Sequence, residues 1–121
     1  MINDLVFDHE TCALSWVYDA RQITGHIDNL DLAMLDERRE LVFILSQPSP
    51  LPTLLTVLNR EGGLISAFPP PEGASFYYLT LSAAKEVLVV CSFHEKREGW
   101  YDWHYALDVE NKRLMKMTPS Y

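Results

Sequence analysis

The 121-residue chain is long enough for one domain with a real core, and its 48% hydrophobic content excludes a disordered tail. Its formal net charge of -7 at pH 7 argues against nucleic-acid or anionic-membrane binding, because both require a basic surface. No secretory leader pattern and no transmembrane-length apolar run is seen, and two cysteines suggest reduced thiols, so we expect a cytoplasmic protein.

Short apolar stretches separated by turn-forming residues recur from one end of the chain to the other. The predicted strands are, in chain order, residues 5–7, 12–18, 23–27, 30–35, 41–45, 54–58, 64–68, 76–81, 87–91, 100–109 and 113–117. Closely spaced strands without a convincing long helix predict a single all-β domain over residues 1–121. Its topology is expected to be an antiparallel meander of about ten short strands.

Residues 30–45 have two competing interpretations. A helix would place Leu30, Met34 and Leu41 on one face, and the turn sequence DERRE favours helix. A hairpin is preferred because these residues align with residues 76–92, where FYYLTL and VLVVC predict two strands around a polar turn. The apolar run VLVVC is typical of a strand that is buried on both faces, with Cys91 as a small core residue.

The same alignment suggests an internal repeat. Residues 30–46 and 76–92 align without gaps at an offset of 46 positions (76 minus 30), and residues 14–27 align similarly with 55–68. Each unit would be a four-stranded meander of roughly 45 residues, which resembles a β-propeller blade. The segment LNREGGLISAFPPPEGASFYYLTLS carries this resemblance best, but WD40 and kelch signatures are missing, so no family function follows.

Residues 105–117 would add a further half unit to the two described above. Two and a half blades cannot close a ring alone. The chain therefore either joins other copies in a ring or packs its units as a small sandwich or curved sheet. We expect the sandwich or curved sheet, and the sequence leaves the oligomeric state open.

The acidity is concentrated in the first third of the chain. Residues 1–40 contain nine carboxylates and three arginines, a net charge of -6, whereas residues 41–121 carry -1. One interpretation is solubility alone, and the other is an acidic face that binds a basic partner. The predicted docking carboxylates are Asp19, Asp28, Asp31, Asp36 and Glu37.

The densest aromatic stretch, GWYDWHY, covers residues 99–105. In a strand, Tyr101, Trp103 and Tyr105 would share one face, which we assign to the core. The other face would then present Trp100, Asp102 and His104, which is either an ordinary solvated strand surface or, from its composition, a binding hot spot.

No enzyme motif is found in the sequence. The four histidines and two cysteines have no metal-ligand spacing, and phosphate-binding and nucleophile-elbow motifs are missing. We therefore predict no metal, no cofactor and no catalytic residue. An acid–base pair of His104 and Asp102 ranks lowest among the functional hypotheses.

The leading hypothesis is a non-enzymatic, acidic, protein-binding module of the cytoplasm. In general character the chain resembles bacterial immunity proteins, which are often small and acidic and block a basic toxin domain. That resemblance implies a toxin domain as the partner and toxin inhibition as the function. The alternative is a small-ligand or carbohydrate-binding β module that uses Trp100, Trp103 and Tyr105.

Overall fold

The computed structural model describes residues 1–120, which form eleven strands and no helix. The strands are β1 (Ile2–Asp8), β2 (Ala13–Tyr18), β3 (Arg21–His26), β4 (Leu30–Asp36), β5 (Leu41–Pro48), β6 (Pro52–Asn59), β7 (Leu64–Phe68), β8 (Ala74–Leu81), β9 (Val87–Arg97), β10 (Trp100–Asp108) and β11 (Arg113–Pro119). Within residues 1–120 there is accordingly no helix of the length and apolarity needed to cross a bilayer. The prediction of an all-β antiparallel meander is confirmed.

The strands form three sheets in chain order. The first sheet contains β1–β3, the second β4–β7 and the third β8–β11. Within each sheet, strands that are consecutive in the sequence are hydrogen-bonded neighbours. The chain passes between sheets at residues 27–29 and 69–73. Residues 30–45 form the predicted hairpin, with Leu35 opposite Val42 in the β4–β5 ladder. Burial of this hairpin between two sheets overrides the helix preference of the DERRE turn.

The second sheet lies in the middle of the stack, and this position explains the continuous apolar run LVFIL. Val42 and Ile44 pack in one core with the first sheet, whereas Phe43 and Leu45 pack in another core with the third sheet. A strand covered on both faces needs apolar side chains at every position rather than at alternate ones. β9 supplies Val87, Val89 and Cys91 to the second of these cores.

The hairpins β4–β5 and β8–β9 correspond in their irregularities. The ladders skip Asp31 in β4 and Tyr77 in β8, so that the two bulged residues are separated by the predicted 46 positions. Leu30 pairs with Ser46, but Phe76 pairs with Cys91, so the offset falls to 45 in the second strand of each hairpin.

The predicted units do not coincide with the sheets. Residues 14–46 span the first and second sheets, and residues 55–92 span the second and third. The alignment of residues 30–46 with 76–92 matches Leu35 with Leu81 and predicts equivalent core positions, but Leu35 is half-buried and Leu81 is 51% exposed, so that prediction is wrong. The resemblance to propeller blades therefore stays a prediction.

The β4–β5 turn fixes the second sheet against the third. The buried Asp36 carboxylate accepts hydrogen bonds from the Val87 backbone N–H at 2.9 Å and from Arg39 Nη2 at 2.7 Å. Arg39 Nη1 donates in turn to the Leu107 carbonyl at 2.9 Å. These contacts align the corresponding ends of the two sheets, because Val87 begins β9 and Leu107 lies near the end of β10.

Candidate functional site

The two ends of the first and second sheets differ in charge. One end, which we call the cavity end, comprises residues 8–13, 26–31, 46–53 and 68–73. It carries five carboxylates and no lysine or arginine: Asp8, Glu10, Asp28, Asp31 and Glu72. The opposite end, the turn end, comprises residues 18–21, 36–41 and 59–64, with five carboxylates and four arginines. The cavity end is therefore the strongly acidic part of these two sheets.

Ion pairs engage two of the five carboxylates at the turn end, Asp36 and Glu40. Arg60 donates to Glu40 at 2.8 Å, and this hydrogen bond is the main reason that the pKa of Arg60 is raised. The N-terminal ammonium lies 3.6 Å from the other Glu40 oxygen, and Arg38 lies 3.3 Å from Glu86. Four arginines against five carboxylates leave the turn end with little net charge, and two of the carboxylates are held in salt bridges between described residues.

The carboxylates of the cavity end have little compensation. Asp28 is 82% exposed, and its one ionic neighbour among the described residues is His26 at 3.6 Å. Asp8 accepts a hydrogen bond from the backbone N–H of Glu10. No lysine or arginine of residues 1–120 pairs with a carboxylate at this end. Arg97 of the β9–β10 hairpin reaches Gly73, so the uncompensated negative charge is concentrated around the β1–β2 and β3–β4 connections.

A cavity of about 570 Å³ opens among these loops. It lies where the β1–β2 connection of the first sheet meets the β3–β4 connection and the β5–β6 loop. The side chains that line it are His9, Cys12, Asn29, Leu30, Gln47, Pro48, Ser49 and Thr53. Most of them are neutral and polar, so the cavity offers hydrogen-bonding groups inside an acidic surround.

Hydrogen bonds between the loops give the cavity its shape. The Gln47 backbone N–H donates to the Asn29 carbonyl at 2.9 Å, which ties the end of β5 to the β3–β4 turn. Thr53 Oγ1 donates to the Gln47 carbonyl at 2.8 Å, which holds the proline-rich loop closed. His9 Nε2 contacts the Asp31 carbonyl and thereby joins the β1–β2 connection to β4. These bonds use backbone carbonyls as acceptors, and the side chains of Asn29, Gln47 and Ser49 are left without partners within residues 1–120.

The five predicted docking carboxylates do not share one surface. Asp28 and Asp31 lie at the cavity end, whereas Asp19 and Glu37 are exposed at the turn end. Asp36 is fully buried and cannot contact a partner. The prediction of Asp36 as a docking residue is therefore wrong. The other four residues form two separate pairs, because strands in a meander alternate in direction and place successive turns at opposite ends.

The aromatic stretch of β10 is divided largely as predicted. Trp103 and Tyr105 are buried in the core between the second and third sheets, and Trp100 is 41% exposed. Tyr101 was expected in the core but is 49% exposed, because the β9–β10 ladder is irregular between Trp100 and Asp102.

Trp100 lies beside the cavity end. The His94 backbone N–H donates to the Gly73 carbonyl at 3.0 Å, which places the β9–β10 hairpin against the connection between the second and third sheets. Trp100 pairs with Arg97 near the tip of that hairpin.

Asp102 and His104 lie on the outer face of the third sheet and are half-buried. His104 Nδ1 is 3.3 Å from Thr118 Oγ1, and no hydrogen bond joins His104 to Asp102 within residues 1–120. The pair therefore lacks the direct contact that an acid–base couple would need.

Cysteine reactivity and metal binding are the two remaining kinds of chemistry to consider. Burial raises the pKa of the Cys91 thiol to about 12, so this thiol stays neutral at physiological pH. Within residues 1–120, no group of three or more His, Cys, Asp or Glu side chains is arranged to hold a metal ion.

The cavity was not predicted from the sequence. The loop SQPSPLP, residues 46–52, has a composition that predicts only a break between strands, yet it contributes Gln47, Pro48 and Ser49. The sequence feature that could have indicated the cavity is an uncharged, proline-rich loop. Its position among acidic turns becomes evident only from the topology of the sheets.

Comparisons of the chain with protein-family models, with curated proteins and with solved structures found no match in any of the three.

Proposed function

We propose that this chain is a non-enzymatic, acidic protein-binding module, and that it binds a basic protein at the cavity end. The observation that carries the proposal is the charge asymmetry between the two ends of the first and second sheets. Five carboxylates without a lysine or arginine generate a local negative potential, which attracts a basic surface and accelerates association.

The contrast with the turn end supports this location. Both ends contain five carboxylates, but only at the turn end do arginines pair with them. A protein that uses acidity for solubility alone has no need to concentrate the uncompensated charge at one end. The docking surface is therefore smaller than the first third of the chain, and Asp28 and Asp31 are its members from the predicted set.

An apolar anchor adjoins the acidic surface. Trp100 and Tyr101 are partly exposed in the hairpin that packs beside the cavity end. Exposed aromatic side chains contribute much of the binding energy in many interfaces, whereas charges at the rim act mainly on the rate of association. In this proposal Trp100 holds the partner after the carboxylates have attracted it.

The narrower proposal is that the partner is a basic toxin domain and that the chain is an immunity protein. Its support is the general character of the chain: small size, net charge of -7 and an uncompensated acidic end. The carbohydrate-binding alternative has less support, because two of its three proposed residues, Trp103 and Tyr105, are buried.

Affinity capture from the native cell tests the proposal. The tagged chain is immobilised at about 0.05 M salt and eluted with a gradient to about 1 M, over which the Debye length falls from more than 10 Å to about 3 Å. We expect a basic protein that elutes within the gradient and that arrests growth when it is produced without this chain. An acidic partner would contradict the proposal that the chain binds a basic protein. A basic partner that causes no growth arrest would contradict the narrower proposal that the partner is a toxin domain.

A further inference from the structure

We propose that the cavity receives the cationic tip of a single arginine or lysine side chain of the partner. This inference rests on the proposed function and adds the specific contact that the partner makes. The cavity itself defines the site: it is open to solvent, is lined by four loop and strand segments from two sheets, and has a volume of about 570 Å³. Pockets of roughly 300–1,000 Å³ are the usual size for small ligands, so a long side chain fits such a space.

The lining provides neutral hydrogen-bond acceptors for a cation. The side chains of Asn29, Gln47 and Ser49 make no hydrogen bond within residues 1–120. Amide and hydroxyl oxygens accept hydrogen bonds from guanidinium or ammonium groups. These three groups can therefore bind a donor-rich tip without first losing a partner inside the protein.

The lining also provides apolar contact for the aliphatic part of such a side chain. Leu30 and Pro48 are the apolar members of the wall. Lysine and arginine characteristically pack their methylene groups on apolar surface while the charged tip contacts polar groups. A cavity with both kinds of lining suits these side chains better than it suits a small inorganic cation.

The surrounding charge selects the sign of the occupant. Asp8 and Glu10 flank His9 in the sequence, and Asp28 and Asp31 flank the lining residues Asn29 and Leu30. No lysine or arginine lies within the four segments of the cavity end, although Arg97 of the β9–β10 hairpin reaches Gly73, so the charge beside the lining residues is predominantly negative and favours a cation. Arginine is favoured over lysine, because its planar group has five donors for acceptors in different directions and is more weakly hydrated.

Nuclear magnetic resonance titration with N-acetyl-arginine amide tests the inference on the intact chain. The side-chain amide signals of Asn29 and Gln47 should shift and saturate. N-acetyl-citrulline amide has nearly the same shape without the charge, and it should cause no saturable shift. N-acetyl-lysine amide is expected to bind at the same signals but more weakly.

Two matched double variants locate the binding. Asp28→Asn with Asp31→Asn should weaken arginine amide binding roughly threefold or more, as expected for two partly exposed charge interactions. Asp19→Asn with Glu37→Gln removes the same charge from the turn end and should change the affinity by less than about 1.5-fold. Equal shifts with citrulline, equal weakening by both double variants, or shifts confined to the turn end would overturn the inference.

Failure of this inference can be distinguished from failure of the proposed function. If a captured basic partner depends on Asp28 and Asp31 but arginine amide leaves Asn29 and Gln47 unchanged, the cavity contact is wrong and the docking end stands. If arginine amide binds in the cavity but the captured partner is acidic, the docking proposal is wrong and the cation site stands.

Discussion

The backbone N–H of Val87, the first residue of β9, donates a hydrogen bond to the buried Asp36 carboxylate at the end of β4, at 2.9 Å. The carboxylate also binds Arg39 through both of its oxygens, and Arg39 reaches the Leu107 carbonyl. One turn of the second sheet is thereby fastened to two strands of the third. An acidic residue in an apparently solvent-exposed turn is thus structural, and its charge is compensated inside the fold.

Replacement of Asp36 should destabilise the domain strongly. Asp36→Ala leaves the Val87 N–H unsatisfied and Arg39 without its partner, and removal of one member of a buried ion pair typically costs roughly 3–5 kcal/mol. Urea unfolding followed by tryptophan fluorescence measures this loss. Glu37→Ala is the matched control in the same turn, where an exposed side chain should change stability by less than about 0.5 kcal/mol. Similar values for the two variants would show that the inter-sheet contact is not important for stability.

Cys91 should make stability fall at alkaline pH. Its pKa is raised by burial from 9.0 to about 12, so the folded thiol stays protonated while the unfolded thiol ionises. The protonated thiol therefore contributes its full stabilisation of the folded chain below pH 9, and this stabilisation is lost as the pH rises from 9 towards 12. Relative to Cys91→Ala, the wild-type chain should lose about 2 kcal/mol of unfolding free energy between pH 8.5 and 10.5.

The measurement compares urea unfolding of the two chains at both pH values, in the presence of a reductant. Tyrosine and lysine ionisation affects both chains, so the difference between them isolates the thiol. A difference that stays constant with pH would mean that Cys91 ionises equally in the folded and unfolded chains.

Trp100 should act on dissociation rather than association. Trp100→Ala removes a partly exposed aromatic side chain beside the cavity end, and truncation of an aromatic hot spot commonly costs about 2 kcal/mol or more of binding energy. We expect the dissociation rate of the captured partner to rise at least about tenfold, with the association rate nearly unchanged. Tyr77→Ala, an exposed aromatic on β8, is the control. Equal effects of both variants would remove the assigned role of Trp100.

Alternation and apolar continuity in the sequence were sufficient to predict most of the strands. The apolar continuity of LVFIL predicted a buried strand, and the structure covers that strand on both faces because the second sheet lies between the other two. The preference for a hairpin over residues 30–45, which came from the alignment with residues 76–92, was also correct. Tyr101 could not be assigned correctly, since the local irregularity in the β9–β10 pairing changes which face a side chain occupies.

The candidate site could be predicted only in part. Asp28 and Asp31 were recognised from their charge, but their separation from Asp19 and Glu37 depends on which turns meet at each end of the stack. The cavity depends on His9, Asn29, Gln47 and Thr53, which belong to four separate segments and meet only when the first sheet packs on the second. No local pattern in the sequence carries that information. The burial of Asp36 has the same origin, because its partners Val87 and Leu107 lie far along the chain.

The central claim is that the partner binds at the cavity end, and two double charge reversals test it most directly. Asp28→Lys with Asp31→Lys and Asp19→Lys with Glu37→Lys each change the net charge from -7 to -3, so they differ only in where the charge is placed. Association with the captured partner is measured at about 0.1 M salt, where the Debye length of about 10 Å is shorter than the roughly 23 Å spanned by a seven-residue strand.

Under these conditions the reversal at the cavity end should slow association about tenfold, and the reversal at the turn end should slow it less than about threefold. Circular dichroism confirms beforehand that both variants keep the β fold. Equal slowing by the two reversals, or greater slowing by the reversal at the turn end, would contradict the account.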